Sequence, residues 1–141
     1  MKVKFECHSL TELAEAAEII ISGFGEHRVF AFFGEMGAGK TTLISAIVKE
    51  LGSTDAVQSP TYSLVNEYQT KKGDRIYHFD FYRMRSEQEA FESGAMDLID
   101  SGSWCFIEWS EKIPTLLPDR YVKVNITRLN ETRIFSMELS S

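Results

Sequence analysis

The chain has 141 residues, 43% hydrophobic and 26% charged, and its 15 Lys and Arg against 21 Asp and Glu leave a formal charge of −6. That length suits one hydrophobic core, the composition excludes a disordered chain, and the acidic balance argues against autonomous gripping of a nucleic-acid backbone. The longest apolar run, Val29–Phe33, falls far short of the roughly 20 residues that span a membrane.

No apolar segment follows the amino-terminal lysines Lys2 and Lys4, and Cys7 and Cys105 stand far apart, outside any Cys-x-x-Cys spacing. The expectation is a cytoplasmic protein with two reduced, buried thiols, forming one domain over residues 1–141.

Residues 2–5 read as a short edge strand. Ser9 and Glu12 then make a capping box, and Leu10, Leu13, Ala14, Ala17, Ile20 and Ile21 recur at helical spacing until Gly23 and Gly25 end the helix. Val29-Phe30-Ala31-Phe32-Phe33 is the continuous apolar run of a strand buried on both faces. A glycine-rich turn, 34–39, leads into a second amphipathic helix carried by Leu43, Ile44, Ile47, Val48 and Leu51, with Gly52 closing it. Residues 61–68 and 75–82 flank a polar turn and read as an antiparallel hairpin. Residues 87–99 are helical in character, interrupted near Gly94. Trp104-Cys105-Phe106-Ile107 is a second buried strand ending on Glu108, and residues 121–126 and 133–139 form a last hairpin turning near Asn130. The expected fold is α/β: a P-loop NTPase-like three-layer domain with a mixed parallel and antiparallel sheet.

The most informative segment is Gly34-Glu35-Met36-Gly37-Ala38-Gly39-Lys40-Thr41-Thr42, which matches Gly-x-x-x-x-Gly-Lys-[Ser/Thr] between a strand and a helix. Glycines allow successive amides to converge on a phosphate, and the following helix adds the positive end of its dipole. In such a loop Lys40 serves the β- and γ-phosphates and the Thr41 hydroxyl serves Mg²⁺. The guanine-reading pattern Asn/Thr-Lys-x-Asp is missing, its nearest approach being Thr70-Lys71-Lys72-Gly73, so ATP is the expected nucleotide.

A P-loop site also needs an acid at a buried strand's end. Glu108, after four apolar residues, and Asp80, after Ile76-Tyr77-His78-Phe79, are the candidates. His78 and Asp80 share a strand face by alternation, which leaves a His-x-Asp metal pair open beside an ordinary histidine hydrogen bond. Ser59-Pro60-Thr61-Tyr62 resembles a sensor loop in which the Thr61 hydroxyl reaches the metal or the γ-phosphate. Trp109 is a stacking surface for a base, a partner contact or a packing residue.

These motifs, with Ser63-Leu64-Val65-Asn66-Glu67-Tyr68, His78-Phe79-Asp80-Phe81-Tyr82-Arg83 and Ile107-Glu108-Trp109 in this order, resemble the bacterial TsaE (YjeE) ATPases from Thr11 to Arg133. The resemblance implies an ATP- and Mg²⁺-binding protein that works with TsaD and TsaB in forming N6-threonylcarbamoyladenosine in tRNAs reading codons that begin with A. By the same resemblance it would meet tRNA only through that complex. Gly37, Ala38, Gly39, Lys40, Thr41 and Thr42 would cradle the phosphates, Thr41 and Glu108 would hold Mg²⁺, and Asp80 would be the second functional acid. Thr11 and Arg133 would approach the nucleotide from the chain ends. Where the family reads Glu-Leu-Glu before its glycine, this chain has Glu89-Ala90-Phe91, a departure that bears on partner contacts. Read from the residues alone, a small P-loop kinase and an ATP-gated binding module stay open.

Overall fold

The computed structural model describes residues 2–35, 37–60 and 64–140. In chain order the elements are β1 (Lys2–Cys7), α1 (Leu10–Phe24), β2 (Val29–Phe33), α2 (Lys40–Glu50), β3 (Val65–Gln69), β4 (Arg75–Asp80), α3 (Glu87–Glu92), α4 (Ala95–Ile99), β5 (Trp104–Glu108), β6 (Val122–Leu129) and β7 (Thr132–Leu139). The strands form one seven-stranded sheet in the order β1-β7-β6-β2-β5-β4-β3. Strands β6, β2, β5 and β4 run parallel, and antiparallel pairings add β7 and β1 at one side and β3 at the other.

Alternation along the parallel strands sorts the core into two layers. Phe30, Phe32, Ile76, Trp104 and Phe106 meet the stripe of α1 and α2, including Ala17, Ile20, Ile44 and Ile47. Tyr77, Phe79, Cys105 and Ile107 meet Ala90, Ala95 and Ile99 of α3 and α4 on the opposite face. Helices on both faces explain why β2 and β5 read as unbroken apolar runs. Both cysteines are buried and free, and burial pushes the Cys105 thiol up to about 12, so it is an inert core group.

Local differences from the sequence reading have simple causes. Helix α1 runs through Gly23 to Phe24 because its buried stripe is Leu13, Ala16, Ala17, Ile20 and Phe24, while Leu10 and Ala14 are exposed. Ser9 Oγ accepts the Glu12 amide at 3.3 Å, but the Glu12 carboxylate takes the amide of His8 rather than that of Ser9. The helical segment divides at Gly94 into α3 and α4. Strand β3 begins at Val65, and β4 stops at Asp80, whose Oδ1 accepts the Tyr82 amide at 3.0 Å. Among the described residues no helix is long and apolar enough to cross a membrane.

Phe106 is fully buried on the interior strand β5, with ring centroids 5.5 Å from Phe30, 6.1 Å from Phe32 and 6.2 Å from Trp104. Phe106→Ala therefore leaves a cavity at the middle of the sheet and should lower unfolding stability by about 3–5 kcal/mol, read from the denaturant midpoint.

Candidate functional site

Parallel strands align their carboxyl ends, and here that alignment assembles the site. Glu108 lies in register with Phe32 of β2 on one side and with Asp80 of β4 on the other. The loop leaving β2 turns into α2 at the same edge of the sheet, the place where open α/β sheets take their ligands. Met36 of that loop, and Thr61 and Tyr62 of the expected sensor segment, lie outside the described residues.

Helix α2 starts at Lys40, and Gly39 before it has φ +108°, a conformation that penalises any side chain. A Cβ there would also stand 3.2 Å from Arg133 Nε, so Arg133 packs directly on the loop. Gly34 is needed for space instead, because a Cβ on it would lie 2.8 Å from the Ile126 carbonyl of β6. No acid occupies the first turn of α2, whereas α1 and α4 each carry one and α3 carries two. The positive end of that helix dipole is left for an anion.

A cavity of about 340 Å³ opens over this loop, lined among others by Gly37, Lys40, Thr41, Asp80, Glu108 and Trp109. The Lys40 ammonium is nearly buried, bonds the Gly34 carbonyl at 2.6 Å and lies 3.9 Å from the centroid of the Trp109 ring. Burial pulls its pKa below the ordinary lysine value, opposed by the charges of Glu108, Glu111 and Asp80. Thr41 Oγ1 donates to the Glu108 carboxylate, 3.0 Å from each oxygen, and stands 2.9 Å from Ser59 Oγ. With its proton on Glu108, the Thr41 hydroxyl accepts from Ser59.

Glu108 is 3% exposed, and His78 Nε2 reaches its Oε2 at 2.7 Å. The His-x-Asp pairing is thus set aside: His78 is engaged by Glu108, and among the described residues no group of three or more His, Cys, Asp or Glu is placed to hold a metal ion. The donor set that remains, a threonine hydroxyl beside a single buried carboxylate, is hard oxygen. It suits Mg²⁺, which uses one or two carboxylates together with substrate phosphates.

Trp109 adopts the left-handed conformation, φ 59° and ψ 40°, costly for so bulky a residue by about 1–3 kcal/mol. Its ring contacts both Lys40 and the Tyr82 ring, whose centroid is 4.9 Å away, so a residue with several open roles in sequence packs against the P-loop lysine. Arg133 also lines a neighbouring cavity of about 210 Å³ with Ser9, Leu10, Gly39 and Thr42. Thr11 is exposed in the first turn of α1 and lines neither cavity, although its neighbours Ser9 and Leu10 do. Ala38 is buried and lines a separate groove with Asn125 and Arg128.

Burial, with a smaller push from the adjacent Glu108 charge, holds the Asp80 carboxyl above the usual carboxylate range. An acid whose folded pKa exceeds its unfolded value weakens the fold as pH rises through the interval between the two. Asp80→Asn, which keeps an oxygen for the Tyr82 amide, should therefore melt at a higher temperature than the parent at pH 7. The gain should shrink as pH falls toward about 4, measured by thermal denaturation across pH.

Comparison with known proteins gives the family. The family profile described as "Threonylcarbamoyl adenosine biosynthesis protein TsaE" matches residues 7–135. The protein named tRNA threonylcarbamoyladenosine biosynthesis protein TsaE from Haemophilus influenzae is 40% identical over 118 residues, covering 83% of this chain and 74% of that protein. Its namesake from Rickettsia prowazekii is 32% identical over 127 residues, covering 89% and 87%. The crystal structure of Bacillus subtilis YdiB shares the fold with a TM-score of 0.70 at 24% identity, over 99% of this chain and 86% of that one. A profile match over nearly the whole length, relatives above 30% identity and a P-loop facing a buried glutamate lead to one conclusion: this chain belongs to the TsaE family.

Proposed function

We propose that this chain is the ATP-binding, ATP-hydrolysing and Mg²⁺-dependent member of a complex with TsaD and TsaB that forms N6-threonylcarbamoyladenosine in tRNA. Family membership and the printed names of its relatives support the pathway. The observation that carries the ATPase reading is the Thr41 hydroxyl on both oxygens of Glu108, at the mouth of a loop that ends in Lys40. We take residues 1–141 as one ATPase domain acting in the cytoplasm. With a formal charge of −6, it reaches tRNA through its partners rather than by its own surface.

In this reading the amides around Gly37, Ala38 and Gly39 and the start of α2 at Lys40, Thr41 and Thr42 cradle the phosphates, and Lys40 exchanges the Gly34 carbonyl for phosphate oxygen. Thr41 and Glu108 hold Mg²⁺, which when bound neutralises charge on the β- and γ-phosphate oxygens. Asp80, whose pKa burial raises, is the acid left to accept a proton while Glu108 serves the metal. It orients the water that attacks the γ-phosphorus and takes that water's proton as the bond to ADP breaks. Arg133, packed on Gly39, and the α1 start around Thr11 contact the nucleoside side.

Lys40→Ala should lower ATP hydrolysis on the order of 10²–10³-fold, alone and with TsaB and TsaD present. Glu108→Gln should abolish Mg²⁺-dependent hydrolysis while ATP affinity in EDTA stays near the parent's. Both are read by phosphate release and nucleotide titration. Parental turnover by Glu108→Gln contradicts the metal assignment, and phosphate passed to a metabolite rather than to water contradicts the ATPase reading.

A further inference from the structure

The phosphate chemistry above makes no use of His78, yet this histidine is completely buried and holds Glu108 by the shortest of the carboxylate's side-chain contacts, 2.7 Å. A carboxylate only accepts, so Nε2 carries the ring proton and donates it to Oε2. On the other side of the ring, Nδ1 lies 3.1 Å from the Tyr68 hydroxyl. The Tyr68 hydroxyl accepts the Gln58 amide at 3.2 Å and shares its single proton between His78 Nδ1 and the Gln58 carbonyl, 3.0 Å away. Asn66, also on β3, donates to the same carbonyl at 2.9 Å. The next residue, Ser59, reaches Thr41 Oγ1 at 2.9 Å, and Thr41 returns to Glu108. The contacts therefore close a ring: Glu108, His78, Tyr68, the Gln58–Ser59 backbone, Thr41, and Glu108 again.

Each link in this ring comes from a different part of the fold. Thr41 belongs to the P-loop helix, Glu108 to β5, His78 to β4 and Tyr68 to β3, with Gln58 and Ser59 on the segment between α2 and β3. Oε2 of Glu108 receives both His78 and Thr41, which leaves Oε1 as the oxygen with more lone-pair capacity toward a cation.

We infer that His78 and Tyr68 are positioning residues for the P-loop site: His78 sets the rotation of the Glu108 carboxylate, and Tyr68 locks the Gln58–Ser59 segment to it. Order in that segment and the geometry of the metal-holding oxygen are then one property. The inference rests on the reading of Glu108 as the Mg²⁺ ligand proposed above. Outer partners of metal ligands act this way by fixing orientation and basicity, and their loss typically costs 10–100-fold in metal affinity or activity.

The test compares parent, His78→Leu, His78→Gln, Tyr68→Phe and Glu108→Gln. The readouts are binding of a fluorescent ATP analogue in EDTA and along a Mg²⁺ titration, and hydrogen exchange at the Gln58 amide. His78→Leu should bind the analogue as the parent does in EDTA but need about 10–100-fold more Mg²⁺ for half-saturation. His78→Gln, which keeps a donor for Glu108, should recover most of that loss. Tyr68→Phe should raise exchange at Gln58 and shift the Mg²⁺ midpoint a few-fold; if His78→Leu does not fold, this variant and His78→Gln decide. Parental Mg²⁺ midpoints in the folded His78 and Tyr68 variants, with a shifted midpoint in Glu108→Gln, overturn the positioning role alone. A parental midpoint in Glu108→Gln overturns the metal reading itself. Lower melting temperatures with unmoved Mg²⁺ midpoints reduce His78 to a core hydrogen bond.

Discussion

The structure turns on one buried carboxylate. Glu108 closes a strand whose five residues are all buried, and it is 3% exposed itself. A charge removed from water costs several kcal/mol unless donors surround it. Here the donors are Thr41 and His78, drawn from the P-loop helix and from the neighbouring strand β4. Satisfying Glu108 therefore fixes the relative placement of α2, β4 and β5, the three elements that carry the phosphate loop and both acids. The same requirement that stabilises the fold presents a hydroxyl and a carboxylate together at the loop's mouth.

Much of this was legible in the residues. The P-loop announces itself because its glycines, lysine and threonine sit between an apolar strand and an amphipathic helix, and all three features are local. Glu108 is visible because Trp104-Cys105-Phe106-Ile107 can only be a buried strand. The pairing of Thr41 with Glu108 spans 67 residues and needs the strand order. That order places β5 between β2 and β4, and no local pattern states it. His78 shows the same limit: alternation puts it on one face with Asp80, but its partner is decided by which strand lies alongside. Thr11, inferred from resemblance, directly follows Leu10 of Arg133's cavity without lining it, and the αL conformation of Trp109 has no signature in a tripeptide of Glu, Trp and Ser.

The site also concentrates features that a fold built only for stability would avoid. Lys40 is held in a position where burial disfavours its charge, Asp80 is pressed against a second acid, and Trp109 is bent into a strained backbone. Such local costs gather where a ligand or a reaction compensates them. Outside the site the molecule is orthodox, with apolar residues on both faces of the parallel strands and Lys2 and Lys4 exposed on the edge strand β1. Phe91, 60% exposed on α3, belongs to the segment where this chain departs from the family pattern.

If the site around Thr41 and Glu108 is what the chain contributes to tRNA modification, removing the Thr41 hydroxyl should stop it. The most direct measurement is the N6-threonylcarbamoyladenosine content of tRNA, by mass spectrometry of nucleosides, in cells whose only copy of this protein is the parent chain or Thr41→Val. Valine keeps the shape of threonine and removes the hydroxyl that meets Glu108. Modification should be full with the parent chain and fall to the depleted background with Thr41→Val at equal protein level. Full modification with Thr41→Val would contradict it, leaving the family role intact but separating it from the site described here.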